Sequence, residues 1–385
     1  MLQDLPGVSC VYMSPFSGVG GTQEYITMLA CRMSKLARVA VMLPFDPAQV
    51  ERFQNRLLDA GVVCIPLPEA FCRPFGRRRY DRRWRAGREL ADRMRKFAVG
   101  DRLIVHANID PVSLGGLASR IGREGGIVDT FHDFGRIAAR SPSFVVNTLI
   151  AAAFLRRVHF ITPSQVVKSE LLRFIMAVDA ARVHAIPTGI DPLPSIAPFS
   201  WHDPVRIYIM SRVSEAKAPD VFLGAVRMFL KEGGRAQFTW IGGGPLLKWT
   251  KAQAAELGLS GQVNFTGYLN DASPVLREND LFLLSSRWEG GCPPRGVLEA
   301  ISQGFPCVLP DIASIREALG EGEAALFYRS GDVQSLACAL RQAVAEPERM
   351  AERARAAHIK FMARHLAEQE FQATLALYRR ILPTG

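Results

Sequence analysis

The chain has 385 residues, more than one ordinary core accommodates and about right for two domains. Its 48% hydrophobic and 22% charged residues are those of a soluble globular protein, and 32 Gly with 24 Pro exclude collagen-like and linker-dominated chains. The net charge is +10, concentrated between Arg73 and Lys96, where eleven bases face three acids; a local cluster points to a local anionic partner.

The first residues, Met1-Leu2-Gln3-Asp4-Leu5-Pro6, hold an acid and an early proline and no basic run, so no secretory leader is expected. Strand-like runs follow at Val8–Met13, Arg38–Leu43, Gly61–Ile65, Arg102–His106, Gly126–Asp129, Val158–Ile161 and Val183–Ile186. Helical patterns at Thr22–Ser34, Tyr80–Ala98 and Ser164–Met176 lie between them. This alternation predicts a parallel sheet with helices on both faces. The longest apolar stretch, Phe144 to Leu155, contains Asn147 and falls short of the ~20 residues a membrane span needs. Lying on a membrane remains open.

Five prolines in the eighteen residues from Pro187 to Pro204 predict an interdomain linker. The alternation then restarts, with strands at Arg206–Met210, Gln237–Ile241, Val263–Phe265, Leu281–Leu284 and Cys307–Leu309. Helices are predicted at Ala218–Lys231, Pro245–Leu257 and Val297–Ser302, and nearly everything from Asp332 to Leu382 is helical. Two doubly wound domains are expected to leave a ligand cleft at the carboxyl ends of their strands. The seven cysteines are scattered and never spaced C-x-x-C, which fits a reducing cytosol better than disulfides or zinc.

Several segments at strand ends carry chemistry. Ser17-Gly18-Val19-Gly20-Gly21-Thr22 opens a helix, either as a plain tight turn or as a loop whose amides meet an anion. Ile241-Gly242-Gly243-Gly244-Pro245 has the same design, with Pro245 expected at the first helical position. Arg212 and Lys217 follow a strand and suit a diphosphate, although solvated loop charges would look the same. Glu289 and Glu299 flank a Gly/Pro loop, where each could accept two hydroxyl hydrogen bonds or simply serve solvation or a helix dipole. His132 follows one strand and His106 ends another, positions where structural histidines are common. There is no D-x-D and no G-x-x-x-x-G-K-[ST], so neither a carboxylate pair for a metal–nucleotide complex nor a P-loop is present.

Taken in order, these segments resemble the retaining GT-B glycosyltransferases of family 4. The resemblance rests on the Gly-Gly-Thr loop, Ile161-Thr162-Pro163-Ser164, Ile186-Pro187-Thr188-Gly189-Ile190-Asp191, Ser211-Arg212 with Lys217, and Ile241 to Pro245. It continues through Phe265-Thr266-Gly267-Tyr268, Ser286 to Ala300, and Gly304-Phe305-Pro306-Cys307-Val308. It implies an α/β fold of two Rossmann-like domains: 1–188 binding acceptor, 189–365 binding donor, and a terminal helix over 366–385 returning to the first domain. It implies a nucleotide-sugar donor, with no cofactor and no metal. Arg212 and Lys217 would grip the diphosphate and Glu299 the ribose. Glu289, Gly290 and Gly291 would meet the sugar and Gly243 the donor. Gly20 and Gly21 would approach the diphosphate, and His132 would lie on the acceptor side. Family members separate the two glutamates by seven residues; here nine intervene, a loop expansion containing Cys292-Pro293-Pro294-Arg295.

The basic segment adds Arg77, Arg78, Arg79, Arg82, Arg83 and Trp84 as candidate contacts to an anionic membrane, because cations and aromatics together suit such an interface. The expectation is therefore a cytoplasmic enzyme, peripheral on the inner face of the cell membrane, acting on a glycan or lipid-linked acceptor in lipopolysaccharide or exopolysaccharide synthesis. Nucleic acid is not expected. An inactive GT-B partner subunit, a sugar-nucleotide epimerase and a phosphorylase are the alternatives.

Overall fold

The computed structural model describes residues 5–13, 21–43, 47–68, 71, 80–121, 125–132, 152–174, 178–193, 201–269 and 271–382. The chain divides into two compact units, Met1–Pro187 with Gln369–Gly385, and Thr188–Glu368.

In the first unit, β1 (Val8–Met13), β2 (Arg38–Leu43), β3 (Val63–Pro66), β4 (Arg102–Ala107), β5 (Gly126–Thr130), β6 (Val158–Thr162) and β7 (Val183–Ala185) form one sheet in the order β3-β2-β1-β4-β5-β6-β7. Every pairing is parallel; Cys10 of β1, for example, lies opposite Val39 on one side and Ile104 on the other. A parallel sheet is covered on both faces, so its central strands are mostly apolar, and all six residues of β1 are buried. The crossovers include α1 (Gly21–Met33), α2 (Pro47–Asp59), α3 (Tyr80–Phe97), α4 (Pro111–Arg120) and α5 (Gln165–Phe174). Asp110 starts α4 by accepting hydrogen bonds from the amides of Val112 (3.1 Å) and Ser113 (3.2 Å), ahead of Pro111.

Helices α3 and α4 touch backbone to backbone. A Cβ on Gly87 would stand 1.9 Å from the Ser113 carbonyl oxygen, and one on Gly116 2.2 Å from that of Trp84. This contact revises the expected membrane face. Trp84 packs edge-on against Phe154 at 5.0 Å, and Arg83 pairs with Asp110 at 3.7 Å, so both half-buried side chains are engaged within the unit. Arg82, Arg85, Arg88 and Lys96 remain exposed on α3, while Arg77, Arg78 and Arg79 lie outside the described residues. No helix among the described residues is long and apolar enough to cross a membrane.

In the second unit, β8 (Val205–Met210), β9 (Ala236–Ile241), β10 (Val263–Gly267), β11 (Leu281–Leu283), β12 (Cys307–Pro310) and β13 (Leu326–Tyr328) form a parallel sheet in the order β10-β9-β8-β11-β12-β13. Its helices are α6 (Pro219–Lys231), α7 (Leu247–Glu256), α8 (Ser273–Leu276), α9 (Arg295–Gln303), α10 (Ala313–Leu319), α11 (Val333–Ala345) and α12 (Pro347–Arg364). One core layer centres on Phe222, Phe238 and Trp240, and another on Tyr208, Phe282 and Phe305. The last helix, α13 (Ala367–Ile381), passes into the first unit, where its Tyr378 hydroxyl meets Nδ1 of His106 at 2.5 Å.

Each strand order reverses once, between β1 and β4 in one unit and between β8 and β11 in the other. Neighbouring crossovers leave in opposite directions at such a point. The carboxyl ends of those strands are where open α/β sheets bind ligands.

Candidate functional site

At the β8/β11 reversal, the segment after β8 is fastened to its neighbours on both sides. The Ser211 carbonyl accepts a bond from the Trp240 indole nitrogen at 3.0 Å, and the Val213 amide donates to the Gly243 carbonyl at 2.8 Å. Arg212 sits between these anchors. Its side chain is exposed and forms no ion pair among the described residues. Its backbone is therefore fixed while its guanidinium stays available.

The same tie explains the glycines after β9. A Cβ on Gly242 would stand 2.1 Å from the Ser211 carbonyl oxygen, and one on Gly244 2.2 Å from that of Val213. Both have positive φ, +142° and +156°, so a side chain is excluded by contact and by conformation. Gly243 differs, since its added Cβ would come no closer than 3.9 Å to anything described. Pro245 does not open the helix as expected. The Leu246 amide first bonds the Val213 carbonyl at 3.2 Å, and α7 starts at Leu247.

Lys217 ends a short 3₁₀ turn, Glu215–Lys217, and Ala218 follows in the left-handed region at φ 48°, fully buried. A non-glycine residue there carries about 1–2 kcal/mol of strain, held in place by its surroundings. The segment after β11 supplies them. Ser285 donates to the Lys217 carbonyl at 2.6 Å, and the Arg287 amide donates to the Ala216 carbonyl at 2.9 Å. Arg287 also pairs with Asp220 at the start of α6, holding that carboxyl below its usual pKa.

The decisive contact is between side chains. Lys217 Nζ donates to both Glu289 oxygens, at 2.5 and 2.7 Å, with the two side chains only 16% and 8% exposed. Glu289 thus orients the ammonium that the sequence marks for a diphosphate. Glu299 lies in the second turn of α9, where it accepts from Arg295 at 2.7 Å and is 17% exposed. Helix α9 is seated by Gly296, whose added Cβ would be 2.5 Å from the Met210 carbonyl oxygen at the end of β8. Gly290 accepts a bond from Ser314 at 3.3 Å, and Gly291 is buried. Lys217 and Glu289 are therefore in contact. Arg212 and Gly243 lie on two loops, after β8 and after β9, that are tied together by the Val213–Gly243 bond, and Glu299 sits on the helix packed against β8.

Comparison with known proteins bears on the fold that carries these residues. Residues 19–192 match the family model described as Glycosyltransferase Family 4, and residues 198–360 match the one described as Glycosyl transferases group 1. A solved structure of Anabaena Alr3699/HepE in complex with UDP and glucose superposes with a TM-score of 0.75, covering 96% of this chain and 99% of that one at 19% identity. The chain carries the two-domain GT-B fold. Among curated relatives, an amylovoran biosynthesis glycosyltransferase, AmsK of Erwinia amylovora, is 28% identical over 43% of this chain and 42% of its own length. The UDP-Gal:alpha-D-GlcNAc-diphosphoundecaprenol alpha-1,3-galactosyltransferase of Escherichia coli is 27% identical over 35% of this chain and 38% of its own. The chain thus matches less than half the length of either relative.

In the N-terminal unit of this GT-B chain, Gly21 is the first residue of α1, and Gly20 lies outside the described residues. Four residues after Gly21, the Tyr25 ring meets His132 edge-on at 4.9 Å, which joins the start of α1 to the end of β5. No sequence motif marks Tyr25; its one signal is its place a helical turn after the glycine. Its hydroxyl lies 3.1 Å from Thr130 Oγ1, which also contacts Nε2 of His106. Burial, reinforced by His132, pushes the pKa of His106 down to about 3, so it is neutral and structural.

Proposed function

We propose that this chain is a metal-independent, retaining hexosyltransferase. It takes its sugar from a nucleoside diphosphate donor and passes it to a glycan or lipid-linked glycan in lipopolysaccharide or exopolysaccharide synthesis, in the manner of family 4. The observation that carries this reading is the Lys217–Glu289 pair, with the exposed Arg212 on the same segment after β8, at the β8/β11 reversal. The Escherichia coli relative, whose name pairs a UDP-sugar with a diphosphoundecaprenol-linked acceptor, supports the substrate classes.

In this scheme the bond from the anomeric carbon to the diphosphate oxygen breaks, and its electron pair stays on the phosphate. Negative charge grows there, so Arg212 and Lys217 stabilise the transition state more than the ground state. Glu299 accepts the ribose hydroxyls, while Glu289 accepts a sugar hydroxyl and holds Lys217. The acceptor hydroxyl attacks from the face the diphosphate leaves and gives its proton to the departing phosphate, which retains the anomeric configuration. His132 serves the acceptor side. No cofactor takes part.

Thermal unfolding with a panel of nucleoside diphosphates tests the donor class, because a ligand of the native state stabilises it by RT ln(1 + [L]/Kd). We expect a rise in Tm with one diphosphate, and an unchanged anomeric configuration with chelator-insensitive turnover for its sugar. Absence of any nucleotide shift overturns the reading.

The exposed arginines of α3 further support docking on the anionic inner face of the cytoplasmic membrane, each base near such a surface contributing ~1 kcal/mol. Changing Arg82, Arg85 and Arg88 to Gln should weaken sedimentation with phosphatidylglycerol vesicles at low salt and leave the nucleotide shift unchanged. Equal sedimentation of variant and parent removes this face from the proposal.

A further inference from the structure

Four basic side chains meet at the edge of the N-terminal unit, apart from the residues assigned so far. His159 on β6 and His184 on the edge strand β7 stack with ring centroids 5.4 Å apart, and Nδ1 of His159 is 3.1 Å from Nε2 of His184. Arg182, from the 3₁₀ turn Ala180–Arg182, places Nη1 3.0 Å from Nε2 of His159. Arg380, in the last turn of α13, places Nη2 3.1 Å from Nδ1 and 3.3 Å from Nε2 of His184.

These contacts demand more acceptors than the cluster owns. A neutral imidazole has one N–H and one lone pair, and a guanidinium only donates. If His159 accepts from Arg182 at Nε2, its proton sits on Nδ1 and is donated to Nε2 of His184. The His184 proton is then on Nδ1, facing the Arg380 donor. Arg182–His159, His159–His184 and His184–Arg380 need three acceptors, and two rings supply two. Protonating a ring enlarges the deficit.

The charged groups acting on the rings are all cations: Arg182, His184 and Arg380 on His159, and Arg380 and Lys168 of α5 on His184. Burial, with these cations, lowers both pKa values to about 4. Among the described residues neither Arg182 nor Arg380 has a carboxylate partner. Arg380 is exposed and the other three side chains are half-buried, so solvent reaches the cluster.

We infer that His159, His184, Arg182 and Arg380 form a binding site for a phosphate-bearing anion, whose oxygens supply the acceptors the cluster lacks. Arg182 and Arg380 donate to the anion, and each histidine that takes up a proton donates as well. The anion favours the charged imidazoles, so the pKa values rise on binding. By linkage, affinity then increases as pH falls through the raised values and levels off below about 4, where the free rings also charge.

Imidazole ¹H–¹⁵N NMR tests this directly, with the two rings assigned through His159→Asn and His184→Asn. The whole chain is titrated from about pH 8 to about pH 4 with and without inorganic phosphate, and in parallel with sulfate, whose charge is constant across this range. We expect the midpoints of both rings to rise by about one unit or more, a tenfold or greater coupling. The rise should vanish in Arg182→Gln/Arg380→Gln and persist in Arg212→Ala, which separates this cluster from the donor site. A headgroup source is read with vesicles of phosphatidic acid in phosphatidylcholine. Sedimentation lost in the double variant, with no effect of free anions on the parent, assigns the site to lipid phosphate. Ring titrations indifferent to both anions, together with equal vesicle binding by parent and double variant, overturn the proposal.

Discussion

Arg212→Ala and Lys217→Ala should each lower kcat/KM for the nucleotide sugar by about 10²–10³-fold, or ~3–4 kcal/mol of transition-state stabilisation. The charge that each side chain opposes is largest as the diphosphate leaves, so the loss should fall mainly on kcat. The two variants should differ in stability. Arg212 is exposed and has no carboxylate partner among the described residues, so its truncation should leave unfolding within about 0.5 kcal/mol of the parent. Lys217→Ala strands the Glu289 carboxylate, which is 8% exposed, and a hydrogen bond to a charged group of this kind contributes about 1.5–3 kcal/mol. Steady-state kinetics and denaturant unfolding of both variants measure the contrast. Near-normal turnover in both would remove the diphosphate assignment.

The difference between these residues also marks what a sequence can disclose. The strands around the site are largely buried and rich in apolar and β-branched residues, so they stand out in the sequence, and Val205–Met210 and Ala236–Ile241 lie within one residue of the expected Arg206–Met210 and Gln237–Ile241. Short edge elements lack that signal, and nothing in the sequence marks the three-residue β13 (Leu326–Tyr328). The same holds for α2, whose polar face leaves few apolar positions. Pro245 shows local preference yielding to tertiary bonding, because docking Leu246 on Val213 delays the helix by two residues. The Lys217–Glu289 bond joins residues 72 apart, and no local pattern encodes a pair at that separation. The histidine pair on β6 and β7 is equally silent, since stacking depends on which strands become neighbours.

The two glutamates should separate nucleotide binding from sugar transfer. Glu299→Ala removes the proposed ribose acceptor and should weaken the free nucleoside diphosphate and the intact donor alike, by about 10–100-fold for a charged hydrogen bond of ~1.5–3 kcal/mol. Arg295→Ala is its control. It releases Glu299 from an i,i+4 pair whose arginine is 43% exposed, and such pairs contribute only about 0.3–0.5 kcal/mol, so nucleotide affinity should change little. Glu289→Ala should weaken the free nucleotide much less than the intact donor and depress transfer strongly, because it deletes the proposed sugar acceptor and also loosens Lys217. That double role makes the Lys217 and Glu289 losses non-additive. In a double-mutant cycle, Lys217→Ala/Glu289→Ala should retain more activity than the product of the single losses predicts, since the second truncation breaks a bond already gone. Calorimetry with the free diphosphate and the intact donor, combined with kcat/KM for the cycle, decides the assignment. If Glu289→Ala weakens both ligands equally, the loop with nine residues between Glu289 and Glu299 carries Glu289 to the nucleotide rather than to the sugar. If the cycle is additive, Glu289 does not act through Lys217, and the carboxylate meets the sugar on its own.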